Sequence, residues 1–183
     1  MSTEINYGPL TGLIGEWAGD KGIDVSPLPD DTERNPFYET LSVVAAGDVE
    51  NAEKQTLTIV RYHQQVFRKS NDEQFHDQVG YITWDESTGV IAHSCVIPRG
   101  VALVAGGKAT TSGDEVTIHL EAHADSVDWT ISEAPFMRDN ASTRSFVQTL
   151  VINGDQLSYE QRMGLGIYDR EFDHVDKSKL VRK

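Results

Sequence analysis

Thr143-Arg-Ser-Phe-Val-Gln-Thr-Leu-Val-Ile-Asn-Gly-Asp-Gln-Leu-Ser-Tyr-Glu-Gln-Arg-Met163 decides the fold. Two strand-like runs, 143–152 and 156–163, flank an Asn-Gly pair. Asn and Gly tolerate the left-handed backbone of a tight turn, so the segment reads as a β-hairpin. The same pattern recurs toward the N-terminus. Residues 37–46 read as a strand, and 56–67 as a long β-branched and aromatic one. Beyond the turn at Asn71-Asp72 come strands at 76–84 and 90–97, separated by Glu86-Ser-Thr-Gly89. Pro98-Arg-Gly100 breaks the chain before 101–109, and Ser112-Gly113-Asp114 turns it into 115–121.

Little helix is expected. Residues 9–14 read as a helical turn before the first strand, and 132–141, with Pro135 and Asn140, as irregular. Residues 24–35 are acidic, carry Pro27 and Pro29, and read as a surface loop beside the first strand. Strands at such even spacing predict an all-β fold, a closed antiparallel barrel of about ten strands rather than a sandwich. Closure removes sheet edges and pairs the last strand with the first. A barrel of this size has room for one small ligand.

The 183 residues suit a single domain over 1–183. Cys95 is the one cysteine, which excludes an internal disulfide. The start shows no leader-like pattern and no apolar run is long enough to span a membrane, so the expected location is the cytoplasm. A formal net charge of −13 argues against nucleic acid and membrane surfaces as partners.

Four features bear on function. Gly15-Glu-Trp17-Ala-Gly19 reads as a first strand whose tryptophan plugs one barrel end. His76 precedes Val79-Gly80-Tyr81, and alternation puts His76 and Gln78 on one face. Met163 follows Arg162 and is by default a core residue. The tail Gly164-Leu-Gly-Ile-Tyr-Asp-Arg-Glu-Phe-Asp-His174-Val-Asp176 reads as a Gly-interrupted turn leading His174 into the final strand. A lone histidine near a chain end is by itself more often exposed. Asp173 and Asp176 beside it either hold the imidazole or are simply solvated. His119 and His123 are too far apart on a strand to chelate easily, and mid-strand Cys95 reads as a small buried hydrophobe.

Taken together and in this order, these segments resemble the nitrobindin family of small haem-binding β-barrels, over about residues 10–182. The resemblance implies a fatty-acid-binding-protein-like, lipocalin-like barrel with haem b at its mouth. It implies His174 as the proximal iron ligand, His76 pointing into the cavity without ligating iron, and Met163 lining it. It further implies ferric iron, nitric oxide binding, and isomerisation of peroxynitrite to nitrate. This chain departs from the family pattern at three points. Lys21 stands where a third glycine is usual, with Gly22 one place later. The usual Pro-His-Leu is Asp173-His174-Val175. The turn before the histidine is longer and carries Tyr168 and Arg170. Two other readings stay open. One is an iron-free carrier of a fatty acid or other apolar molecule, with Arg61 or Arg162 as its cation. The other is a barrel filled by its own side chains.

Overall fold

The computed structural model describes residues 5–183. Its strands are β1 (Gly15–Pro27), β2 (Thr32–Asn51), β3 (Gln55–Arg68), β4 (Gln74–Asp85), β5 (Val90–Ile97), β6 (Val101–Ser112), β7 (Glu115–His123), β8 (Ile131–Glu133), β9 (Ala141–Asn153), β10 (Gln156–Ile167) and β11 (Arg170–Arg182). Ten of them close into an antiparallel barrel. Each neighbour follows the last in the chain, except that β1 meets β11 and that β7 passes to β9. Among the described residues the three-residue β8 pairs only with β6, and it stays outside the ring. The expected all-β barrel of about ten strands is what the chain forms.

Several local expectations change. Residues 24–35 are not a loose loop. They form the ends of β1 and β2, paired from Asp24↔Asn35 to Pro27↔Thr32, and only 28–31 connect them. Residues 132–141 hold β8 and a short helix, α1 (Pro135–Asn140), in place of irregular chain. Met163 does not end its strand. Gly164 and Gly166 lie within β10, and the reversal falls at Tyr168 and Asp169, both with positive φ. Ladder pairing with β9 and β11 on either side overrides the weak strand preference of glycine. The Asn-Gly hairpin is present, with Asn153 paired to Gln156 and Gly154 at φ 56°.

The barrel interior has three tiers. At the closed end a 3-10 helix (Gly8–Leu13) inserts Leu10 and Leu13, and Trp17 is fully buried beneath it. The indole N–H donates to the Leu13 carbonyl at 2.8 Å. Arg182 stacks over the indole at 4.2 Å and donates to the carbonyls of Ile14 and Gly12. The last strand thereby locks the plug of the first. Above this apolar tier lies a belt of buried polar groups. Gln78 donates to the Tyr62 hydroxyl at 2.8 Å, and His93 Nε2 hydrogen-bonds the same hydroxyl. Gln64 and Tyr159 both donate to Glu39 Oε2, and Gln148 donates to Gln161. Such groups are tolerated in a core because most of their polar atoms satisfy one another, with Glu39 Oε1, His93 Nδ1 and Gln148 Oε1 left without a hydrogen bond of good geometry. The third tier is open.

Candidate functional site

The open tier is a cavity of about 530 Å³ at the mouth of the barrel, bounded by the ends of β1, β3, β5 and β10, the starts of β2, β4, β6, β9 and β11, and by α1. Phe37, Val66, Phe75, Val101, Met137 and Leu165 supply apolar wall. A larger groove of about 880 Å³ runs beside Lys21 and Lys179 and contains, of the four features above, only Ala18 and Gly19 of the first strand. The mouth cavity is the size expected of a small-molecule site.

His174, His76 and Met163, singled out separately in the sequence, all border this one cavity. Met163 and His174 are direct cross-strand partners on β10 and β11. His76 comes from β4 with its Nε2 hydrogen-bonded to Gln78 Oε1 at 3.3 Å. Burial pushes the His76 pKa below its ordinary value, so this imidazole is biased toward the neutral form.

His174 is held by a residue the sequence reading did not select. Its Nε2 lies 2.6 Å from Asp24 Oδ1, and Asp24 also accepts from Ser26 and Asn35. The Asp24 side chain is only 4% exposed. Burial works to raise its pKa, but the hydrogen bond and charge of His174, with Asn35 and Ser26, outweigh burial and leave the carboxyl below its ordinary value. For His174 burial works downward, and Asp24 and Asp176 overcome it, so the imidazole is biased toward the protonated form.

Of the two acids flanking His174, Asp176 turns inward, with Oδ1 3.7 Å from Nε2, while Asp173 faces out and pairs with Arg162. Burial, reinforced by the charges of Asp24 and Glu39 and opposed by His174, pushes the Asp176 carboxyl up to about 7. Glu39 sits deeper and is likewise raised by burial.

The cavity's cations are also not those expected. Arg61 and Arg162 both lie on the outer face of the barrel. Arg68 and Arg99 border the cavity instead. Arg68 stacks on the Phe75 ring at 4.5 Å, and Arg99 donates to the Phe75 carbonyl at 3.2 Å. Arg68 was within reach of the sequence, because Tyr62, Gln64 and Val66 set the inward parity of β3. Arg99 sits in a turn, where no periodicity operates.

Residues 6–182 match the model of a family described as THAP4-like, heme-binding beta-barrel domain. The crystal structure of Rv2717c from M. tuberculosis is similar at a TM-score of 0.70, covering 95% of this chain and 94% of that one at 22% identity. At that identity the likeness speaks to the fold. No curated protein gives a significant match. The chain belongs to the THAP4-like haem-binding β-barrel family, a nitrobindin-type domain.

Proposed function

We propose that this member of the haem-binding barrel family takes up ferric haem b in the mouth cavity, with His174 as the proximal ligand, and binds nitric oxide there. The observation that carries the reading is the position of His174. It borders an apolar cavity of about 530 Å³, faces Met163 across the ladder, and is braced by a buried carboxylate. Iron-ligating histidines are commonly oriented by such a partner.

The residues present fit a porphyrin. Apolar side chains suit its macrocycle, Arg68 and Arg99 suit its carboxylates, and an imidazole suits its iron. Two carboxylates beside that imidazole suit a centre carrying positive charge. When bound, ferric haem supplies an open iron position at which nitric oxide is held. The chain's own work is positional. Asp24 keeps His174 from rotating, Phe37, Val66 and Leu165 exclude water, and His76 with Gln78 offers a hydrogen bond to a small ligand. Nitric oxide is the better substrate proposal than peroxynitrite, because a net charge of −13 repels an anion.

A hemin titration of the purified protein tests this. A Soret band is expected for the wild type and most of it should vanish in His174→Ala. Unchanged spectrum and affinity in that variant would remove His174 from the proposal.

One observation favours a second reading. Two guanidinium groups beside an apolar cavity also suit a fatty acid or similar amphiphile without iron. Retention of lipid with no Soret band on added hemin would put this reading first.

A further inference from the structure

The barrel mouth holds three metal-type donors within reach of one ion. Asp24 on β1 and His174 and Asp176 on β11 each offer one ligand atom, and these atoms all lie within 4.8 Å of one another. The His174 Nε2 contacts are 2.6 Å to Asp24 Oδ1 and 3.7 Å to Asp176 Oδ1. Bonds of about 2.0–2.2 Å to a divalent ion would put neighbouring ligand atoms roughly 3.0–3.5 Å apart. The observed separations bracket that range, so shifts of a few tenths of an ångström and rotation of one carboxylate would complete the set.

The backbone supports the grouping. Asp24 and Asp176 are direct partners across the seam between the first and last strands. Asp24 is held from behind by Ser26 and Asn35. The Asp176 side chain is 20% exposed, with its Oδ1 3.7 Å from His174 Nε2. Glu39, also buried, is not part of the set: its Oε2 accepts from Gln64 and Tyr159, and Ser178 stands beside its Oε1. Two carboxylates thus flank one imidazole inside the barrel. Buried carboxylates are ordinarily paired or coordinated to metal, and a divalent ion would take the place of the proton that His174 now shares with Asp24.

We infer that Asp24, His174 and Asp176 form a binding site for a single divalent transition-metal ion, with at least one further coordination position open to the mouth cavity. One imidazole and two carboxylates suit Mn²⁺, Fe²⁺, Co²⁺ or Zn²⁺ rather than a thiolate-seeking ion. Three protein ligands with an open position are the arrangement of reactive rather than purely structural metal centres. The site stands on geometry alone and does not depend on haem uptake. Because both use His174, a bare ion and a porphyrin would compete.

The test uses the full chain, free of hemin, titrated with Co²⁺ and followed by its visible d–d absorption, in wild type, Asp176→Asn and Asp24→Asn. Both substitutions keep side-chain volume, and circular dichroism with a melting curve checks that each variant folds. Saturable one-to-one binding by wild type, at least tenfold weaker in both variants, is the expected result. No saturable binding by wild type overturns the inference. So does equal binding in all three proteins, which would locate Co²⁺ elsewhere on the acidic surface. A parallel hemin titration of wild type separates the two proposals. Loss of the Soret band there counts against the haem reading and leaves the Co²⁺ result standing.

Discussion

Asp24 and His174 stand 150 residues apart in the chain and 2.6 Å apart in the barrel, carboxylate Oδ1 to imidazole Nε2. The contact spans the seam where the first strand meets the last. It makes the cavity's key histidine dependent on the closure of the whole barrel.

Asp24→Asn should therefore weaken hemin binding by roughly 10–100-fold, because it removes the group that orients the imidazole, and should also lower the melting temperature of the hemin-free protein, because it breaks a buried ion pair. Soret titration measures the first effect and a melting curve the second. Wild-type affinity in a folded Asp24→Asn protein would mean that the carboxylate has no part in ligand binding.

His76→Leu separates lining from ligation. The ferric spectrum should keep its histidine-ligated form, and nitric oxide affinity should change by about tenfold, the value of roughly one hydrogen bond. If His76→Leu abolishes hemin binding and His174→Ala does not, the two histidines exchange roles.

His93 should make the fold acid-sensitive. It is fully buried, burial holds its pKa down to about 4, and its Nδ1 has no hydrogen bond of good geometry, although Gln148 stands beside it. The unfolded chain protonates this group near pH 6.5 and the folded chain resists until about pH 4. Stability is complete above pH 6.5 and is lost as pH falls through that window, by about 2 kcal/mol at pH 5. Urea unfolding at pH 7 and pH 5 should show that much more loss in wild type than in His93→Gln. Equal losses would show that another group carries the effect.

Gly22→Ala should damage fold and site together. A Cβ there would run into the Phe37 ring, which forms part of the cavity wall. Overpacking of this kind costs about 1–3 kcal/mol. Chemical denaturation and hemin titration should both report a loss. A stable variant with weakened hemin binding would show that Phe37 yields into the cavity.

The barrel was legible because its information is local. Period-two strands, the Asn153-Gly154 hairpin and the Gly-Trp-Gly first strand each act over a few residues, and closure follows from the need to satisfy strand edges. His174, His76 and Met163 were legible as individual residues. Their family pattern lies in short segments, and alternation along β4 places His76 and Gln78 on the inward face; of the two acids beside His174, left open by the sequence, Asp176 is the one that lines the cavity.

What the sequence alone could not supply was Asp24, and the reason is one extra residue. Trp17 and Gly19 face inward, so counting by twos sends Asp24 outward. Between Gly19 and Gly22 the register slips against both β2 and β11: three steps on β1 oppose two on β2. This bulge reverses the parity of the strand and turns Gly22 and Asp24 into the barrel. The displaced glycine, Lys21-Gly22 in place of Gly-x-Gly, was its only trace. Composition and alternation thus pointed to a barrel, and the family resemblance singled out His174. Only tertiary pairing across the β1–β11 seam decided which carboxylates meet that histidine, because a bulge is invisible to periodicity and the partners lie at opposite ends of the chain.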